Sequence, residues 1–130
     1  MNKRIITALA GLLLVSCSSA PDGIDNDAMA PYCIAPRTLL CNTTRALGTA
    51  AFSPNNNSLL YYEMDNKEDK EAYGRYQRTS EEEATITIHG DDVYTVEYKL
   101  FFKTPKDGTV EETFTYNGAE EKYKGRFMLR

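Results

Sequence analysis

Val93-Tyr94-Thr95-Val96-Glu97-Tyr98-Lys99-Leu100-Phe101-Phe102-Lys103 is the stretch on which the fold turns. Tyr94, Val96, Tyr98, Leu100 and Phe102 recur on one face, while Thr95, Glu97, Lys99 and Lys103 recur on the other. Successive side chains of a strand point to opposite sides, so this alternation describes a strand with one face in a core and one in water. Thr104 to Gly108 follows as a hairpin loop, with Asp107-Gly108 expected to supply the residues that tolerate positive φ.

Working outward, the same period reappears on both sides. Thr109 to Tyr116 places Val110, Phe114 and Tyr116 inward, with Glu112 as an acidic exception on that face. Asn117-Gly118 is a tight-turn signal, and Lys122 to Leu129 then alternates Tyr123, Gly125, Phe127 and Leu129 against Lys122, Lys124 and Arg126. Upstream, Thr85 to Ile88 alternates and His89 to Asp92 reads as a turn. Ala72 to Arg78 is a further strand, and in the segment before it Leu60, Tyr62 and Met64 are expected to share a face. Six or seven strands joined by short turns predict a mainly β fold, an antiparallel meander closing into a small barrel or sandwich. Closure is favoured because an open sheet leaves edges unpaired. One short helix is expected near the N-terminus over Arg37 to Leu47, opened by Pro36 and ended by Gly48.

The chain has 130 residues and a net charge of −4. Its acidity argues against nucleic acid, which requires a basic face to displace counterions. Met1-Asn2-Lys3-Arg4 is a basic leader, and Ile5 to Val15 follows without a charge or a polar face. At about 1.5 Å per residue that run reaches about 16 Å as a helix, half of what a membrane core requires. A basic start, a short apolar run and small residues at its end describe a secretory signal rather than a permanent span. Without Lys3 and Arg4, the remainder carries 13 basic against 19 acidic residues. Ser18 to Ala30 is small, polar and acidic and reads as a tether. Asp22, Asp25 and Asp27 do not match a calcium loop, because no glycine follows Asp27 and Pro36 occupies the position of the closing glutamate.

Leu14-Val15-Ser16-Cys17 closely resembles the lipobox of bacterial lipoproteins. The resemblance covers the first 17 residues and identifies no domain family. It implies a signal peptide over 1–16, a diacylglyceryl thioether on Cys17, and acylation (palmitate or a similar chain) of the new amino terminus. The mature protein is then a lipidated Cys17 and tether over 17–30, followed by a β-rich domain over 31–130. Two or more acyl chains hold a protein stably on a membrane. Ser18 beside the lipidated residue is compatible in this family with sorting to the cell outer membrane. Whether the domain faces periplasm or exterior stays open.

With Cys17 lipidated, Cys33 and Cys41 remain as an even pair in an exported protein, and a disulfide is expected between them. Such a loop would stabilise the fold by about 2.5 kcal/mol on the chain-entropy model. Neither a redox pair nor a metal site fits, because the spacing is not Cys-x-x-Cys and the one histidine, His89, is distant in sequence.

Chemistry is sparse. His89 reads as an exposed turn residue, and no Gly-x-Ser-x-Gly or phosphate loop is present. Glu81-Glu82-Glu83, Asp91-Asp92, Glu111-Glu112 and Glu120-Glu121 are neighbours, and neighbours on a strand point apart, so they cannot converge on one bond. No cofactor is implied and no enzyme is indicated. Of nine tyrosines, Tyr94, Tyr98, Tyr116 and Tyr123 fall on inward positions; Tyr61, Tyr73 and Phe101 fall on opposite faces and are the candidates for a contact patch. The expected function is a non-catalytic envelope lipoprotein that binds an envelope or secreted protein or serves structurally. Two alternatives are an inhibitor of a lytic enzyme, to which lysozyme-inhibitor lipoproteins are similar in architecture, and a carrier of a small apolar ligand. Replacing the lipid acceptor (Cys17→Ser) should move the protein from the membrane to the soluble fraction of its native host. Mass spectrometry should find acyl mass on the wild-type amino terminus and none on the variant.

Overall fold

A computed structural model describes residues 29–90 and 93–130. The expected signal peptide over 1–16, Cys17, most of the expected tether and Asp91-Asp92 lie outside the described residues. The described residues form nine strands: β1 (Leu39–Thr43), β2 (Leu47–Phe52), β3 (Leu59–Met64), β4 (Lys67–Glu68), β5 (Tyr73–Arg78), β6 (Glu83–His89), β7 (Tyr94–Thr104), β8 (Asp107–Tyr116) and β9 (Ala119–Leu129). They make one antiparallel sheet in the order β4-β3-β2-β1-β9-β8-β7-β6-β5. Every neighbour is consecutive in sequence except β1 and β9, where the end of the chain pairs with its beginning.

The two edges of this sheet, β4 and β5, are also consecutive, so the short link Asp69 to Ala72 holds them together. That link curls the sheet into a half-barrel. At one end the curl is closed by backbone pairing: Ser58 forms a bridge with Arg75, and the Tyr76 N–H donates to the Asn57 carbonyl at 3.0 Å. Inside lie Leu39, Tyr62, Tyr76, Ile86, Ile88, Val96, Tyr98, Leu100, Val110 and Phe127, all buried. Phe102 and Phe127 meet edge to face at 4.8 Å, a favourable aromatic geometry.

The mainly β antiparallel fold is as the alternation predicts, and β7, β8 and β9 carry the expected faces. The amino-terminal helix does not form, and among the described residues there is none. Arg37 to Leu47 is instead a turn and β1, because Leu39, Cys41 and Thr43 alternate inward and both edges of β1 are paired, with β2 and β9. Leu60 also departs from expectation. A bulge opposite Ala51/Phe52 inserts Leu60, so Leu59 and Tyr62 face the core while Leu60 is 68% exposed. In the β7–β8 hairpin, Asp107 and Gly108 are strand residues without positive φ, and Pro105 and Lys106 make the turn. The Thr104 hydroxyl fixes that turn, accepting the N–H groups of Lys106 and Asp107 at 3.1 and 3.2 Å. Positive φ occurs where the chain reverses in two residues, at Asp65-Asn66 and Asn117-Gly118, and at Asn57 in the β2–β3 loop.

The Cys33–Cys41 disulfide is not formed. Cys41 is a free thiol, fully buried, on the interior face of β1 between Gly48 of β2 and Phe127 of β9. Burial pushes this thiol well above its ordinary pKa, and the Glu112 carboxylate adds to the effect.

Residues 29–37 plug the closed end. The Met29 and Ala30 N–H groups donate to the Glu81 carbonyl at 3.0 and 2.9 Å, and the Tyr76 hydroxyl donates to the Pro31 carbonyl at 2.6 Å. Ala30 and Ile34 are buried, and Met29 packs against the same core. In a variant keeping Cys41 as its one cysteine (Cys17→Ser, Cys33→Ser), a thiol reagent should react at least about 100-fold more slowly with the native protein than in denaturing urea. Rapid labelling of the native protein would mean that β1 does not sit as described.

Candidate binding surface

The half-barrel has two unlike ends. The near end holds residues 29–37, the β2–β3 loop, the β5–β6 and β7–β8 turns and the end of β9. The far end holds the β1–β2, β3–β4 and β8–β9 turns and Val93. Thr43 at the end of β1 pairs with Gly125, so β9 runs on from Lys124 to Ala119 past its neighbour, roughly 17–20 Å. With β7 and β8 it forms a tongue that rises above the barrel mouth.

The interior face of this tongue is aromatic. Tyr94 pairs with Tyr116, Val96 with Phe114, and Tyr98 with Glu112, which in turn pairs with Tyr123. The Tyr94 and Phe114 rings lie 5.8 Å apart, and Phe114 and Tyr116 are near-parallel at 6.5 Å. Below them sits the acidic exception of β8. Glu112 is only 1% exposed, and an unpaired carboxylate there would cost several kcal/mol. It is paired with Arg45, which the β1–β2 turn sends across the mouth. Arg45 Nε donates to Glu112 Oε2 at 2.7 Å, Nη2 donates to the same oxygen, and the Thr43 hydroxyl donates to Oε1 at 2.6 Å. The guanidinium also lies 3.9 Å over the Phe114 ring. On the open side, the Tyr94 hydroxyl donates to Asp69 at 2.6 Å. Burial raises the Tyr94 phenol pKa, and the bond to Asp69 raises it further. Deeper in, Tyr62 and Tyr98 share a hydrogen bond at 2.9 Å, and burial pushes Tyr62 up to about 12.

Three large apolar side chains stay exposed at this far end: Tyr73 at 64%, Val93 at 43% and Tyr116 at 50%. Tyr73 stacks on His89 at 4.9 Å, and the Asn117 N–H donates to the Val93 carbonyl at 3.2 Å. Two open recesses, ≈ 610 and ≈ 320 Å³, meet at Val93 and Tyr94. A third, ≈ 430 Å³, lies on the outer face of β7–β9 among Glu97, Lys99, Glu111, Lys122 and Lys124. Its charges alternate in cross-strand register, Lys99 beside Glu111 beside Lys124, the pattern of a solvated sheet face.

The candidates Tyr61, Tyr73 and Phe101 are not brought together. Tyr73 pairs with His89 at the far end, whereas Phe101 pairs with Glu83 six residues away along β6, about 20 Å. Tyr61 stands on the outer face of β3, its hydroxyl bonded to Glu63. Tyr73 alone belongs to the far rim. His89 is the last residue of β6, half-buried beneath Tyr73, rather than an exposed turn residue. Tyr98 is buried, Tyr94 and Tyr123 are half-buried, and Tyr116 reaches solvent. Sequence reasoning missed Arg45 altogether, because its partner lies 67 residues away. The odd acid at Glu112 was the available signal. Among the described residues no group of three His, Cys, Asp or Glu side chains is placed to hold a metal ion, and no helix is long and apolar enough to cross a membrane.

Removing the cation (Arg45→Ala) should leave Glu112 charged and buried and lower stability in urea by about 3–5 kcal/mol. The apolar pair Arg45→Met with Glu112→Leu should lose less than Arg45→Ala, because neither half is then stranded.

No protein-family model matches the sequence, and no curated protein does. Among solved structures, that of EF1p2_mFAP2b bound to DFHBI is similar, with a TM-score of 0.50 and 10% sequence identity. The similarity covers 71% of this chain and 89% of that one. At that identity the likeness extends to the fold alone.

Proposed function

We propose that this protein is a membrane-tethered, non-catalytic binding module of a bacterial envelope that meets a protein partner with the far rim of its half-barrel. The observation that carries the reading is that exposed Tyr73 and Val93, which line one recess, and exposed Tyr116 all stand at the end opposite Met29, where the chain arrives. Aromatic side chains left in water on a rigid rim favour contact with another macromolecule, since tyrosine offers large area at low entropic cost. The lipobox resemblance supports the tether, and Ser18 is compatible in that family with outer-membrane sorting.

Inhibition of a lytic enzyme is a second reading, favoured by the acids around the rim. Asp65, Glu68, Glu71, Glu120 and Glu121 are exposed there and would suit a cationic enzyme surface. The carrier reading has less support, because Tyr62, Tyr76 and Tyr98 fill the interior that a small apolar ligand would need.

The test compares the soluble domain with a rim variant, Tyr73→Ala with Tyr116→Ala, as bait for envelope and secreted proteins. Both positions are exposed, so the fold should survive, and a genuine partner should be retained at least about tenfold less by the variant. Equal retention by both baits, or none by either under mild conditions, would remove the rim from consideration. Unchanged muralytic and proteolytic activity in the presence of the domain would end the inhibitor reading.

A further inference from the structure

A row of cations at the near end has no salt-bridge partner among the described residues. Arg37 precedes β1, Arg130 follows β9, Lys106 sits in the β7–β8 turn and Lys103 is one residue from the end of β7. All four are exposed. Their strands are adjacent in the order β1-β9-β8-β7, so at about 4.8 Å per strand the four charges follow one rim for about 15 Å. Backbone bonds fix the row: Thr38 and Arg130 exchange N–H···O bonds at 3.0 and 2.9 Å, and the Leu129 N–H donates to the Lys106 carbonyl at 2.7 Å. Among the described residues the ion pair found is Arg45–Glu112, so none of these four pairs with a side-chain carboxylate within 4.0 Å. Asp107, the acid in the same turn, instead accepts the Thr104 hydroxyl at 2.8 Å.

This is unusual placement in a chain whose net charge is −4. Across the same end, Glu81, Glu82 and Glu83 lie on the β5–β6 side, beside Arg78. Far from it, Asp65, Glu68, Asp69, Glu71, Glu120 and Glu121 outnumber Lys67 and Lys70. The far end is therefore the more acidic, and the row of four cations, facing Glu81 to Glu83 across the same end, lies where the chain arrives at Met29. Cys17 is twelve residues from Met29, a span of at most about 43 Å in any conformation. A lipid on Cys17 would keep this end within that distance of the bilayer.

We propose that Arg37, Arg130, Lys106 and Lys103 form a docking surface for the anionic phospholipid headgroups of the membrane that carries the anchor. This deepens the tethered-module reading and rests on it. The row lies flat against headgroup phosphates, the acidic end is repelled, and the barrel stands with its aromatic rim outward. Each cation within a Debye length of an anionic surface strengthens partition by about fivefold.

The test uses the unlipidated polypeptide Ser18 to Arg130, which keeps every described residue, with vesicles of phosphatidylglycerol or of phosphatidylcholine. At low salt it should sediment with the anionic vesicles and not with the zwitterionic ones. Replacing the row (Arg37→Gln, Lys103→Gln, Lys106→Gln, Arg130→Gln) should weaken partition by about fivefold per charge. An equal charge loss elsewhere (Lys67→Gln, Lys70→Gln, Lys99→Gln, Lys122→Gln) should leave it near wild type. The single reversal Lys106→Glu in an exposed turn covers the case in which the fourfold variant fails to fold, and should weaken partition by more than fivefold. Equal losses from both sets, or no partition onto phosphatidylglycerol, overturns the proposal. So does binding that appears only when 18–28 is deleted, since the acids Asp22, Asp25 and Asp27 would then be the row's occupant. The assay does not involve Cys17, so failure of the anchor is read separately, from the acyl mass of the native protein.

Discussion

Among the described residues, the carboxylate of Glu112 is the one buried charged group that the fold has to accommodate. It lies on the inward face of β8, between Tyr98 of β7 and Tyr123 of β9, and is almost fully removed from water. Arg45 answers it, and the route of that answer shapes the far end. The β1–β2 turn must reach over the mouth, so the guanidinium comes to rest on the Phe114 ring and against Met64. One ion pair thereby ties the first hairpin to β3 and β8, across the wall of the half-barrel. An apolar pair of the same volume would seal the mouth as well, or better. What the ion pair adds is a fixed direction for Phe114, and through its stack a fixed position for Tyr94 and Tyr116.

Where charge and periodicity spoke together, the sequence was readable. In β7 the polar face carries Glu97 and Lys99, and in β9 it carries Lys122, Lys124 and Arg126, so the inward face is unmistakable. The first hairpin lacked that contrast. Its inward positions include Gly48 and Ala50, small because the Tyr98 and Tyr62 rings occupy the space in front of Gly48. A small residue facing a large one in another strand is a complementary fit, yet from one strand alone it looks like no pattern. Leu40, Thr44 and Leu47 then supply a helical spacing by coincidence. The bulge at Leu60 is equally silent, since a single inserted residue reverses parity without any residue type that announces it. Of the far rim, Tyr73 was legible as an outward aromatic. Val93 and Tyr116 were not, because their exposure depends on how far β7 and β8 outrun β1.

The topology explains why the ends differ. A sheet closed by a four-residue link between its edge strands is paired through its backbone at the tight end, where Ser58 meets Arg75, and spanned by a side-chain bond from Tyr94 to Asp69 at the open one. The tight end is filled by residues 29–37 and is dense in backbone bonds. The open end is filled by side chains, and three of them reach water as aromatic or branched apolar groups. Two ends of such different construction suit two different neighbours, and the far end is also the more acidic.

Rigidity is what makes an exposed aromatic useful for recognition rather than merely costly. A tyrosine on a free loop loses rotamer and backbone freedom on binding, about 0.5–1.5 kcal/mol for the side chain alone. Tyr116 is instead held in a stack over Phe114, which is clamped between Tyr94 and Arg45, and Tyr73 is held against His89. That ordering is already complete in the unbound protein, because it follows from satisfying Glu112 and from pairing β5 with β6. The interior therefore prepares the rim, and a partner that fits it would meet a surface with little left to lose.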